Sequence, residues 1–188
     1  MEEFIMKRII VCNWISLDGF FSGPNDETDW FYWNDEVEDY QLHAQKRFDT
    51  MLFGRRTYDI MANYWPTPLS TNEHPAITRF MNNTKKIVFS KSLKQPAWNN
   101  CTLLPEINKK GIENIKEASI GDILILGSGS IASQLINLDM VDELRLFLNP
   151  VILGKGNPMF QHVHGRVSLR HEISKTFSNG LTLDIYTK

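Results

Sequence analysis

Apolar and polar positions alternate along this chain in two registers. Runs of four to seven apolar residues recur, and most are separated by segments whose apolar positions fall three or four apart. KRIIVCNWI (7–15) predicts a first strand. SLDGFFSGPNDETDW (16–30) is polar and rich in turn residues, and predicts a loop. It is longer than a simple connection needs, as lids and binding loops often are. DEVEDYQLHAQKRFD (35–49) predicts an amphipathic helix with acidic residues in its first turn, where the helix dipole favours them. TMLFG (50–54) predicts a strand, RRTYDIMANYW (55–65) a helix ended by Pro66 and Pro68, and EHPAITRFMNN (73–83) another helix. Strands are predicted at KKIVFS (85–90) and CTLLP (101–105), then a helix at INKKGIENIKEA (107–118) with an awkward Gly111.

DILIL (122–126) predicts a buried strand that breaks into Gly127 and Gly129 before a helix. VDELRLFLNPVIL (141–153) predicts a strand bent or broken at Pro150, since proline lacks the N–H that a ladder needs. The end of the chain turns all-β. RVSLRHEISKTFS and LTLDIYTK flank Asn179-Gly180, a strong hairpin signal. The predicted fold class is therefore α/β, a mostly parallel sheet with antiparallel strands added at the end. No linker or repeat divides residues 1–188, so one domain is expected.

Composition narrows the function. Hydrophobic residues make up 42% and charged residues 22%, ordinary values for a globular protein with a real core. A net charge of -2 argues against a nucleic-acid partner. No apolar run reaches the roughly 20 residues of a membrane span, and MEEFIMKRIIVCNWIS makes a poor signal peptide, with Met6 a candidate natural start. A cytoplasmic location is expected. Cys12 and Cys101 belong to no CxxC pair and read as free thiols. His162 and His164 in QHVHG have no accompanying ligand cluster, so no metal is expected. GKGNPMF (154–160) lacks the Walker spacing, and there is no G-x-S-x-G elbow.

Three strand ends carry candidate chemistry. Gly127, Gly129 and Ala132 fit G-x-G-x-x-A between a strand and a helix, where backbone can approach a pyrophosphate. A plain turn reads equally well from this motif alone. In FGRRTY (53–58), Arg55 and Arg56 open a helix whose dipole they do not help, so they suit bound phosphate, with Thr57 as a further donor. FSKS (89–92) is a third strand end, carrying hydroxyls and a lysine.

Taken with SLDGF (16–20) and MVDELRLFLNPVILGKGNPMF (140–160), these segments make the chain resemble the dihydrofolate reductase superfamily. The closer resemblance is to the branch related to the C-terminal reductase domain of the bifunctional riboflavin-biosynthesis protein. The resemblance implies a three-layer fold, with a central, mostly parallel sheet of about eight strands, an antiparallel C-terminal hairpin and helices on both faces. It implies an NADPH-dependent oxidoreductase delivering hydride to a pterin-like, pyrimidine or related heterocycle, and a homodimer. Gly54, Arg55, Arg56 and Thr57 match the segment that meets the cofactor phosphates, and Ser90 and Lys91 the segment near the adenosine 2′-phosphate. Gly127, Ser128, Gly129, Ser130 and Ile131 match the loop over the pyrophosphate, which favours the cradle over the turn.

On the substrate side, SLDG makes Asp18 a candidate catalytic residue, although it also suits a tight turn before Gly19. Trp14, Phe20, Phe21 and Trp30 are candidate pocket walls. Folate-type enzymes use a carboxylate near the start of the first helix, a neighbourhood that holds Asp35, Glu36 and Asp39. Phe20 stands where riboflavin-pathway reductases commonly have a basic residue, and Leu126 where they often have an acidic one. Both departures point to a stand-alone reductase-like protein. A nucleotide- or flavin-binding protein of the same fold, without efficient turnover, is the alternative.

Overall fold

The computed structural model describes residues 7–188. The candidate start at Met6 lies outside the described residues. Strand β1 (Ile9–Ile15) is buried along its whole length, as a continuous apolar run covered on both faces should be. After it come β2 (Phe20–Ser22), α1 (Asp35–Ala44), β3 (Phe48–Gly54), α2 (Arg55–Tyr64), α3 (Pro68–Glu73), α4 (Pro75–Asn83), β4 (Lys85–Phe89) and β5 (Cys101–Leu104). The chain continues through α5 (Lys109–Ala118), β6 (Asp122–Leu126), α6 (Gly129–Asn137), β7 (Glu143–Leu148), β8 (Asn157–Pro158), β9 (Arg170–Thr176) and β10 (Thr182–Thr187).

Eight strands form one sheet in the order β5-β4-β3-β6-β1-β7-β10-β9. The six strands from β5 to β7 run parallel, and β10 then pairs antiparallel with both β7 and β9. Helices cover both faces. Ile112 and Ile115 of α5 and Ile131 and Leu135 of α6 pack on one face with Ile9, Val11, Leu52 and Ile125. Val37 of α1, Tyr58 of α2 and Met81 of α4 pack on the other with Cys12, Trp14, Phe53 and Phe147. This is the expected three-layer α/β fold with an antiparallel C-terminal hairpin.

Local chemistry explains most boundaries. Asn34 caps α1 by accepting the Val37 N–H at 3.0 Å, and Asn108 caps α5 by accepting the Gly111 N–H at 2.9 Å. A Cβ at Gly111 would lie 3.3 Å from the Asn108 side-chain Oδ1, a tight contact with the capping atom. At the hairpin, the Gly180 N–H donates to Phe177 O at 2.9 Å, and Gly180 takes φ +89°.

Three features differ from the sequence reading. The helix expected over 35–49 ends at Ala44, and after a 3₁₀ turn the strand begins at Phe48. Pairing with β6 captures this stretch: Phe48 sits opposite Asp122, which also accepts from Arg47 Nε at 2.7 Å. Helix α3 was not expected; Thr67 caps it and Pro68 opens it. The loop over 16–30 contains β2, whose only partner is β8, far along the chain.

Candidate functional site

The three chemistry-bearing segments lie at the C-terminal ends of neighbouring strands. β4, β3 and β6 are consecutive in the sheet, so Ser90 and Lys91, Gly54 to Thr57, and Gly127 to Ile131 fall along one edge. That edge is where open α/β sheets bind ligands. Two of the segments are stitched together. The Gly54 N–H donates to Ser128 Oγ at 3.0 Å, and the Ser128 N–H donates to Thr57 Oγ1 at 3.0 Å. Ser128 holds a left-handed conformation at the N-cap of α6 and caps no amide with its own side chain. Gly127 has φ +68°, and a Cβ there would lie 2.9 Å from Thr57 Cγ2. Asn13 of β1 fixes the loop from beneath. Its Oδ1 accepts the Gly127 N–H at 2.6 Å, and its Nδ2 donates to Gly127 O at 3.2 Å.

This stitching leaves donors over. The first amides of α6, at Gly129 and Ser130, have no intrahelical partner, because the turn's first bonds to Ser128 O come from Ile131 and Ala132. Helix α2 opens on Gly54, which has no side chain to cap it. Arg55 pairs with Asp59 at 2.7 Å and Arg56 with Asp26 at 2.7 Å, both at the surface. Exposed pairs of this kind contribute only about 0–1 kcal/mol, so a phosphate can compete for either guanidinium. Ser90 Oγ accepts from the N–H groups of Ser92 and Leu93, and Lys91 stands 3.6 Å from Glu106. These two residues lie beyond the cleft proper. The donor set has the character of an anion site.

A cleft of about 640 Å³ opens beside these loops, between the sheet and helices α1, α2 and α4. Arg56, Thr57, Gly127, Ser128, Gly129 and Ser130 form its mouth. Trp14 lies in its wall, stacked on Phe147 with 4.3 Å between centroids and on Phe31 with 5.6 Å. Phe20 and Trp30 do not line the cleft; Phe21, Phe31 and Trp33 do. Phe20 packs toward Gly156, while Trp30 donates its indole N–H to Glu27 O at 3.0 Å. Phe21 reaches Gly129 so closely that a Cβ there would lie 2.9 Å from its ring. Asn157 holds this loop in place, donating to Gly23 O at 2.7 Å and to Ser22 Oγ at 2.9 Å.

The candidate carboxylates are engaged elsewhere. Asp18 accepts from Ser16 Oγ at 2.6 Å and from the Gly154 N–H at 2.7 Å, tying two loops outside the cleft. These hydrogen bonds, with Ser16 foremost, hold its carboxyl below the usual value. Glu36 accepts from the Ser178 N–H at 2.8 Å, and neither Asp35, Glu36 nor Asp39 lines the cleft. His162 lines the cleft, while the His164 backbone N–H donates to Asn137.

Cys12, Tyr40, Gln41 and Arg145 surround the deep end. Burial pushes the Cys12 thiol up to about 12 and raises Tyr40. Arg145 is 7% exposed and donates through Nε to Glu143, whose other oxygen meets Arg8 at 2.9 Å. Burial opposes the Arg145 charge, but the hydrogen bond and charge of Glu143 outweigh it, so its proton is held more firmly than usual. Sequence reasoning missed Asn13 and Arg145. The signal was there: Asn13 is the one polar residue of an otherwise apolar buried strand, and Arg145 stands two positions from the opposite charge of Glu143 in another.

The family model for the RibD C-terminal domain matches residues 7–183. The chain is 33% identical over 184 residues to the Bacillus subtilis protein YyaP, covering 96% of this chain and 94% of that one. Among solved structures, a Shewanella sp. PV-4 protein provisionally assigned to riboflavin biosynthesis superposes with a TM-score of 0.76 at 20% identity, covering 96% of this chain and 98% of that one. Dihydrofolate reductase from Enterococcus faecalis, solved with NADP(H), superposes with a TM-score of 0.60 at 14% identity, covering 97% and 96%. The stitched glycine edge, the sheet order and the match along nearly the whole chain lead to one conclusion: this protein belongs to the RibD C-terminal domain family.

Proposed function

We propose that this protein is an NADPH-dependent reductase that delivers hydride to a flat heterocycle. The observation that carries the reading is the junction at Ser128. Two helix N-termini with unused amides are locked side by side there, at the mouth of an aromatic-walled cleft. In this reading the amides of Gly129 and Ser130, with Arg55 and Arg56, hold the pyrophosphate, and Ile131 and Gly54 keep the two helix starts in contact. Ser90 and Lys91 meet the 2′-phosphate, which favours NADPH over NADH. The dinucleotide, when bound, supplies the hydride. The chain positions the acceptor between Trp14, Phe21 and Phe31 and limits water in the cleft. Asp18 acts by fixing the loop that borders the cleft rather than by touching substrate.

The test is a titration of the purified protein with NADPH and with NADH, following the fluorescence of its five tryptophans. Tight NADPH binding with weak NADH binding supports the reading. Absence of binding to either nucleotide overturns it.

A further inference from the structure

The deep half of the cleft has a one-sided hydrogen-bonding character. Asp26 is the only aspartate or glutamate among the lining residues, and it sits at the mouth, held by Arg56 at 2.7 Å and Asn157 at 3.3 Å. The deep walls instead carry donors. Trp14 is 8% exposed, and its Nε1 is buried with no partner among the described residues. Gln41 Nε2 on α1 is also buried with no partner among the described residues. Arg145 on β7 is buried to a similar degree and uses Nε on Glu143. No hydrogen bond of its two terminal nitrogens is found among the described residues, which leaves its planar fork for another acceptor. Buried N–H groups without acceptors are rare in folded proteins, and two elements, β1 through Trp14 and α1 through Gln41, each contribute one here, beside the Arg145 guanidinium. Cys12, whose thiol burial keeps protonated, and Tyr40 lie beside these donors, with the neutral side chains of Asn13 and Gln45 and with His74 also in the lining.

We propose that this deep half selects a planar heterocycle by an oxygen edge, with carbonyl or enolate oxygens of a fused-ring dione accepting from Arg145, Gln41 and Trp14. A ligand presenting an amidine edge would bring donors against donors, with no carboxylate to receive them. A sugar phosphate would find a single guanidinium already shared with Glu143. The position of Arg145 sets this preference. Cys12 lies opposite Arg145 across the β1–β7 pairing, so the guanidinium rises beside the cleft floor. Calling the bound ring the hydride acceptor rests on the reductase reading; its edge preference does not.

Calorimetry with two size-matched probes tests this, each run with and without saturating NADPH. Lumazine presents a dione edge, and 2,4-diaminopteridine presents an amidine edge. Lumazine is expected to bind about tenfold more tightly, the effect of one well-placed hydrogen bond to a charged donor. Trp14→Phe keeps the stacked ring and removes the N–H, and Gln41→Leu removes the amide. Each is expected to weaken lumazine several-fold more than it weakens 2,4-diaminopteridine. Arg145→Lys keeps the charge beside Glu143 and loses the fork, so it lowers lumazine affinity in a protein that still folds. Equal or tighter binding of 2,4-diaminopteridine overturns the proposal, as does lumazine affinity unchanged in all three variants. So does failure of both probes to bind protein that still binds NADPH. A retained lumazine preference in protein that binds no NADPH supports the edge preference and sinks the reductase reading alone.

Discussion

The side-chain amide of Asn13, in the middle of the most buried strand, grips the backbone of Gly127 at both its N–H and its C=O, at 2.6 and 3.2 Å. Asn13 also donates to Met159 Sδ at 2.9 Å. One side chain thus sets the height of the glycine loop above the sheet and anchors the segment that returns to cover the cleft. Its own burial is tolerated because its amide is fully used.

Replacing Asn13 with Ala is expected to cost about 1–3 kcal/mol, because the Gly127 N–H and C=O are left without partners. The loop loosens, and NADPH affinity is expected to fall about tenfold for a loss of about 1.4 kcal/mol. Denaturant unfolding and the nucleotide titration measure the two effects. An Asn13→Ala protein as stable as the wild type would show that the loop holds itself.

Gly127→Ala meets two obstacles. The residue has φ +68°, which costs an L-residue about 1–2 kcal/mol, and its Cβ would meet Thr57 Cγ2 at 2.9 Å. Thr57→Ser removes that methyl and keeps the oxygen that accepts from Ser128. The double variant is expected to recover part of the loss, so the two changes should be non-additive in unfolding experiments. Strict additivity would mean that Thr57 and Gly127 do not touch.

Lys86 is fully buried and donates to Thr84 O at 2.7 Å and Asn82 O at 3.2 Å, with its Nζ 4.4 Å from the Trp98 ring centroid. Burial pulls its pKa from 10.5 down to about 8. Between those values the unfolded chain binds more protons than the folded one, so this residue makes stability rise with pH across that window. Cys12 acts in the opposite sense above its ordinary value of 9, because its folded-state thiol stays protonated up to about 12. The stability difference between wild type and Lys86→Met isolates the lysine. It is expected to grow in favour of the wild type from pH 8 to 10.5, read by denaturant unfolding at a series of pH values. A flat difference would show that Lys86 titrates normally.

The homodimer implied by the resemblance has a suitable surface in β9. Among the described residues this strand pairs only with β10, which leaves its outer edge open, and Ile173 is 53% exposed. Leu169 and Val167 just before it are 40% and 37% exposed. An open strand edge carrying exposed apolar residues invites pairing with a second chain. Light scattering is expected to give a dimer for the wild type and a monomer for Ile173→Lys. A monomeric wild type would remove the dimer.

Much of the fold was legible from local pattern. The mostly apolar, β-rich run at Ile9–Ile15 indicated the first strand. The acidic residues at the start of DEVEDY marked the first turn of α1, and Asn179-Gly180 marked the hairpin. Where pattern failed, a distant partner was the reason. Arg47 and Phe48 leave the helical register because β6 offers them Asp122, 75 positions from Arg47. The two-residue strand β8 exists only because β2 lies beside it.

The same division holds for the candidate site. Glycines after strands, arginines at a helix start and the hydroxyls and lysine of FSKS are local signals, and they drew attention to all three strand ends. Their adjacency came from the sheet order, which no single segment carries. Asp18, Asp35, Glu36 and Asp39 were candidates by residue type. The structure gives Asp18 to Ser16 and Gly154 and Glu36 to Ser178, while Asp35 and Asp39 lie away from the cleft. Propensity, capping and periodicity act over a few neighbours, so most elements and the glycine and arginine signals could be read locally. Which polar groups are satisfied and which remain for a ligand depends on contacts between distant segments. Hydrogen bonds such as that between Asn13 and Gly127 join residues 114 apart, and burial makes their presence or absence decisive.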